Sequence, residues 1–431
     1  MSAGAGGLAS EVLARVRDFR KAVRLLHADP SEVRALADRR LAAVVEAART
    51  VEPYRSLWAS LGEIRTVKDL TRLPITERAH LQDAPIESRL TCPPDGLVWQ
   101  STSGSTAAFL TTAWSREEDR SIQVQVWRQF MAQGIPLDAR RLDIEFRPPR
   151  EPAELRVGGE VLRVSMPKSP TVAARIIRSE GVEVLMGMPS ELLELSDLLG
   201  SAPMRGLVTF GEVRSAPDAE ALREAYGVRP MDWYASGEIM LIAWECPSGR
   251  GYHVNADSVV VEVVDRDGRP PPPGERGEVV VTALNNRTTP IVRYRIGDIG
   301  VLLVDPCPCG ITLPLMGPIE GRTPDWIVGP GGRRISPFRV VLGVLLGGEV
   351  VNTVRRYRIT QRAVDDFLVE VVWKSGRRED MVGRLAPALS WVLQWPVRVE
   401  CRDVPELPGG GSRKFRQVVS LVKRAGGAQS S

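Results

Sequence analysis

From residue 95 to about 320, short β-rich runs alternate with helical ones, and that order admits few architectures. "GLVWQST" precedes the helical pattern "REEDRSIQVQVWRQFMAQG", and "RLDIEF" is followed by "SPTVAARIIRSEG". Then come "VEVLMG" and "PSELLELSDLLG", followed by "GLVTFG" and "PDAEALREAYG". Strands separated by crossover helices predict an α/β fold with mostly parallel sheets. Ligand loops in such sheets sit at strand C-termini, where "STSGST" and "FGE" fall.

The flanks have other textures. Residues 10 to 50 carry apolar positions three and four apart, which predicts packing helices and leaves a homodimer through them open. "TVKDLTRLPITERAHL" reads as a short helix, a Leu-Pro turn and a Thr-capped helix. After 250 the chain predicts a β-rich subdomain from "SVVVEVVD", "GEVVVTAL" and "IGVLLVD" around a Pro-rich turn. A smaller α+β unit follows, with "FLVEVVW", a helix near 378–394, "VRVEC" and the Gly-rich "PGGGSRKF".

The chain's 431 residues exceed one small core. Its 57 basic and 53 acidic residues are well mixed, so neither nucleic acid nor an anionic membrane is the expected partner. No apolar run approaches a membrane span, and "MSAGAGGLAS" lacks a signal peptide's charged start and apolar core. Five cysteines argue against a disulfide scaffold, and the expected compartment is the cytoplasm.

Four separated motifs carry candidate chemistry. "TSGST" (102–106) places four hydroxyls around one glycine, a loop able to offer hydroxyls and N–H groups to phosphate. "FGEVRS" and "MDWYASGE" follow successive predicted strands, the second ending in an acid suited to a divalent cation. "RYRIGD" ends in Asp298, where a carboxylate can take both ribose hydroxyls, and "GGGSRKF" sets Lys414 on a flexible loop. Singly, each is more simply a turn, a salt-bridged acid or a surface lysine. Their order and spacing make the joint reading stronger.

These motifs make the chain resemble the phenylacetate–CoA ligase branch of the adenylate-forming enzymes. The resemblance extends from "VEPYRSLWASLG" and "TVKDLTRLPITERAHL" through "TSGST", "WYASGE", "GYHVNAD", "NNRTTPIVRYRIGDIG", "CPCG" and "IEGRTPDWI" to "SRKFRQV". It implies activation of a carboxylic acid, aryl or arylacetic, by ATP with Mg²⁺ as an acyl-adenylate, then transfer to coenzyme A. Transfer to an amine, a carrier-protein thiol or another nucleophile stays open, as does a nucleotide-binding module without turnover.

By resemblance, Thr102, Ser103, Gly104, Ser105 and Thr106 would cradle the β- and γ-phosphates. Gly211, Glu212, Asp232, Trp233 and Tyr234 would frame the adenine. Glu238 would bind Mg²⁺, Asp298 would hold the ribose, Arg322 would assist at ribose or phosphate, and Lys414 would neutralise the attacking carboxylate and α-phosphate. The implied division is a large domain over 1–322, a mobile small domain over 326–431 and a hinge at 323–325.

Two positions depart from the family pattern. The phosphate loop continues Ala107-Ala108-Phe109-Leu110, without the usual Gly-x-Pro and its frequent lysine. Pro324 stands at the hinge, where it fixes φ and removes a donor. Arg147 and Arg150 fall where the family places one wall of its acyl pocket, although surface arginines are the commoner reading.

A further constellation points to metal. Cys307-Pro308-Cys309-Gly310 is a Cys-x-Cys turn, and Cys246 with His253 forms a second pair. Three thiolates and an imidazole suit a closed tetrahedral zinc site, where unlinked thiols in small hairpins are the plain alternative. Some members of the resembled branch carry zinc here. Cys92 and Cys401 read as inert buried thiols.

Overall fold

The computed structural model describes residues 3–101, 110–145, 161–165, 170–265, 267–319, 326–335, 337–346, 353–373, 379–407 and 418–422. The expectations on 102–109, Arg147, Arg150, Arg322, Pro324 and Lys414 lie outside them.

Among the described residues, the largest sheet has nine strands and is mixed. Its parallel half runs Val161–Ser165, Arg141–Glu145, Val184–Gly187, Gly206–Phe210 and Met231–Ser236. The intervening helices begin and end where the sequence stops them. Helix Ala216–Tyr226 has Ser215 as N-cap, accepting from Asp218 N, an early proline, and left-handed Gly227 after its last turn. Helix Pro189–Leu199 likewise starts on proline.

Beyond Met231–Ser236 the sheet turns antiparallel through Met240–Glu245, Tyr252–Val254, Leu315–Met316 and Leu302–Leu303. Hairpins replace crossover helices there, so strand direction alternates. "Mostly parallel" therefore describes one half of this sheet, and the mixed whole is α/β.

The β-rich region forms a three-stranded antiparallel sheet of Val259–Val264, Gly277–Ala283 and Tyr294–Gly300. The expected Thr cap before helix Arg78–Asp83 is displaced by one residue, with Glu77 at the N-cap. Thr76 is instead buried, its Oγ1 donating to Val292 O at 2.8 Å. Backbone bonds from Thr76 N to Arg293 O and from Arg295 N to Thr76 O tie this segment beside Tyr294. The cap is lost because the hydroxyl is needed for the tie to Val292.

A second apolar core lies wholly between Ile327 and Val418. Its four-stranded sheet runs Arg398–Asp403, Asp366–Trp373, Val354–Ala363 and Val418–Ser420, with helices Pro337–Leu346 and Glu379–Leu393 contributing to the core. Alternate burial along Asp366–Trp373 is what a sheet with one covered face requires. No helix among the described residues is long and apolar enough to cross a membrane.

Candidate active site

Strand Met231–Ser236 is where the parallel half of the large sheet ends, and its last residues face the three-stranded sheet. Tyr234 donates its hydroxyl to Asp298 Oδ2 at 2.8 Å, joining the two sheets across 64 positions of sequence. Burial, then the neighbouring Asp298 carboxylate, pushes the Tyr234 phenol well above its usual range, so it stays a donor.

Glu238 follows in the hairpin and is buried. Its Oε1 accepts from Arg78 Nη1 at 2.8 Å and from the Tyr294 hydroxyl at 3.3 Å. Arg78 also reaches the Tyr294 oxygen at 3.2 Å. Both partners were missed from sequence: Arg78 and Tyr294 stand inside quoted motifs, but nothing local links them to an acid 160 and 56 positions away.

The run 232–234 is split by the strand's two faces. Trp233 points into the apolar core, its ring 5.5 Å from that of Phe130 and its Nε1 donating to Gln133. Asp232 lies in a buried polar network, accepting from Tyr252 at 2.8 Å and from Thr209. Burial pushes the Asp232 carboxyl up to about 6, opposed by Arg214. Arg214 is itself paired with Glu245 at 2.7 Å. Tyr234 is thus the member of the run whose side chain reaches Asp298.

Gly211 ends strand Gly206–Phe210 with φ +80, a left-handed turn where a Cβ would stand 3.3 Å from Met188 Cε. Glu212 beside it accepts from Ser190 N at 3.1 Å and Ser190 Oγ at 2.9 Å. Burial lifts its carboxyl to about 6. On either side of residues 102–109, Val98–Ser101 pairs antiparallel with Thr111–Trp114. Ala113 is held from both sides by Thr289 and by Asn286 of the "NNRTT" stretch.

Cys246, His253, Cys307 and Cys309 converge, with ligand atoms all within 4.8 Å of one another. Cys246 Sγ is 3.3 Å from Cys307 Sγ, and His253 Nε2 is 3.2 Å from Cys309 Sγ. His253 Nδ1 lies 3.2 Å from Leu313 O; donation there leaves Nε2 as the lone-pair nitrogen facing the thiols. Burial lowers the His253 pKa, favouring the neutral ligand form. Gly310 takes φ +81 in the knuckle, and His27 Nδ1 meets its carbonyl at 2.9 Å. Thr312 N donates to Leu26 O at 2.8 Å, so residues 25–28 clasp the knuckle. Cys92 is exposed and Cys401 half-buried, so neither is a buried thiol as expected.

No protein-family model matches the chain. Among characterised proteins, it is 28% identical over 342 residues to phenylacetate–coenzyme A ligase of Thermus thermophilus, covering 74% of this chain and 77% of that one. It is 26% identical over 331 residues to phenylacetate–coenzyme A ligase of Escherichia coli, covering 70% and 74%. By sequence, the chain is similar to phenylacetate–coenzyme A ligases. Its fold agrees. A crystal structure of 2-hydroxyisobutyryl-CoA ligase in an open conformation, with 2-HIB-AMP and CoA, superposes with a TM-score of 0.61. That match covers 92% of this chain and 93% of the other at 19% identity.

Proposed function

We propose that this chain is an AMP-forming acid–CoA ligase, activating an aryl or arylacetic carboxylate with ATP and passing the acyl group to coenzyme A. The observation that carries the reading is the approach of Glu238 and Asp298 from two sheets, bridged through Tyr234 and Tyr294. The relatives' activity and the fold of a ligase that binds an acyl-adenylate support it.

In this reading the acid's carboxylate attacks the α-phosphate of ATP, forming acyl-adenylate and releasing pyrophosphate. A thiol then attacks the acyl carbon and AMP leaves. Such a site works by positioning and charge neutralisation. Asp298 takes the ribose hydroxyls, with Tyr234 holding one of its oxygens. Gly211, Glu212 and Tyr234 frame the base, while Asp232 shares the face of Tyr234 and Trp233 anchors the strand in the core on the opposite face. Residues 102–106 cradle the β- and γ-phosphates, Arg322 assists there, and Lys414 meets the developing charge. Glu238 would hold Mg²⁺, which when bound would neutralise charge on the phosphates; Arg78 positions that carboxylate. The division into 1–322 and 326–431 about a hinge at 323–325 belongs to the same proposal, supported by the second core.

Zinc is proposed for the four thiol and imidazole ligands. The donor set fits a closed tetrahedral site, and a metal there would clamp the antiparallel end of the large sheet.

The test is pyrophosphate release across a library of carboxylic acids, repeated with coenzyme A and with amines. Release dependent on an aryl acid, with acyl-CoA as product, is expected. Acyl-amide formation alone would move the chain to the rival acceptor class. Tight ATP binding without release from any acid would leave a nucleotide-binding module.

A further inference from the structure

Helix Pro189–Leu199 begins at the end of strand Val184–Gly187 and touches two things at once. At its start, Ser190 gives its N–H and hydroxyl to Glu212. One turn on, Glu194 Oε1 lies 3.0 Å from Nη2 of Arg339, on helix Pro337–Leu346 of the second core. Both side chains are sequestered, at 8% and 4% exposure. Glu191 is fully buried on the same face, with neither oxygen hydrogen-bonded among the described residues. Burial, then Glu212, holds its carboxyl well above the ordinary range, while Arg339 pulls it down. Trp326 adds an apolar contact, packing against the cluster that includes Leu192, Leu193 and Leu195.

This seam has the chemistry of a reversible contact. A buried ion pair adds little net stability, because desolvating both charges offsets most of their attraction. When the surfaces part, water takes back both charges of the pair and the buried Glu191 carboxyl; an apolar seam would gain nothing of the kind. While they are joined, removing either charge strands the other in a dry site. The pair is therefore weak as glue and strong as a register mark.

We infer that Arg339 is a positioning residue that latches the second core to helix Pro189–Leu199 through Glu194, beside buried Glu191, registering it against Glu212, and that releases when the two cores part. Its release and catalytic consequence rest on the ligase reading; the docking belongs to the chain's own residues.

Hydrogen exchange on the full chain tests the latch without any substrate. Arg339→Met should raise exchange in helices Pro189–Leu199 and Pro337–Leu346 by about tenfold, while the four-stranded sheet stays protected. Arg339→Lys should recover most of the protection. Glu194→Gln should act alone but add little to Arg339→Met, as two halves of one contact do. With a turned-over acid, Arg339→Met should change the ratio of single-turnover adenylation to thioester formation by about tenfold, since it shifts the joined and parted populations. Unchanged exchange in both helices, or additive effects of the two substitutions, overturns the latch. If Arg339→Met does not fold, Glu194→Gln, which keeps the side chain's shape, decides by the same exchange measurement. If no acid is activated, the ligase reading fails and the exchange result still decides the latch.

Discussion

Two clusters of ionisable side chains sit on the same large sheet and solve the problem of buried charge in opposite ways. Glu238 meets a guanidinium and a phenol, so its charge is balanced from within the chain. Cys246, His253, Cys307 and Cys309 meet mainly each other, and like donors packed this closely call for a shared cation. The first arrangement can hand its carboxylate from one cation to another, as the proposed Mg²⁺ site requires. The second suits a permanent clamp. In the proposed reading, function and architecture are thus separated along one sheet.

The largest effect should come from the clamp. Metal analysis of protein purified without added metal should find one zinc per chain. Cys309→Ser, removing one ligand, should lower Tm by roughly 3–6 °C, taking about 3 kcal/mol at about 1–2 °C each for a unit of this size. Full stability in the metal-free protein would erase the contrast between the clusters.

Next is the exchangeable cluster. Glu238→Gln should keep the fold and cut pyrophosphate release by about 10²–10³-fold, the scale of one lost electrostatic group in a preorganised site. A Mg²⁺ titration of ATP binding should shift to higher concentration in the same variant. If Glu238→Gln instead lowers Tm as much as Cys309→Ser, the acid is a structural element too.

Asp298→Ala should weaken ATP binding by about 10–100-fold, from charge-assisted bonds of about 1.5–3 kcal/mol, with Tyr234→Phe costing less. Calorimetry can rank them. Equal losses would mean that Tyr234 does more than hold the carboxylate.

The smallest effect concerns pH. The folded-state pKa of Asp232 is raised to about 6 from 3.8 by burial, so the folded chain binds this proton more tightly than the unfolded one. Its contribution to stability is fully present below about 4 and is lost as pH rises through about 6. Asp232→Asn should flatten the stability profile across that window. A slope unchanged in the variant would assign it to other groups, Glu212 among them.

Much of this was legible in the sequence, and the limits have a physical pattern. Period and capping marked helices such as Ala216–Tyr226 and strands such as Val184–Gly187, because those signals are local. The motifs singled out Glu238 and Asp298, whose ligand roles belong to the proposal. What stayed hidden was pairing. Arg78 on Glu238, Tyr234 on Asp298 and Arg339 on Glu194 join residues far apart, and nothing around an arginine announces its acid. Strand faces were hidden too: contiguous Asp232, Trp233 and Tyr234 were read as one wall, and the pleat sends Trp233 into the apolar core. The antiparallel half escaped because "MLIAWE" follows its motif through a tight hairpin with no helix to mark it.

The clasp of residues 25–28 on the knuckle has a consequence for how the chain is made. His27 and Gly310 are separated by 283 positions. At about 5–20 residues per second, roughly 15–60 s of synthesis separate the emergence of the two. Throughout that interval Leu25 and Leu26, which end up buried against Ile311 and Leu313, have no finished surface to rest on. The thiol centre closes late for the same reason, since Cys246 and His253 leave the ribosome well before Cys307 and Cys309. The early helices must therefore stay soluble as a waiting piece, and the knuckle is the event that ends the wait.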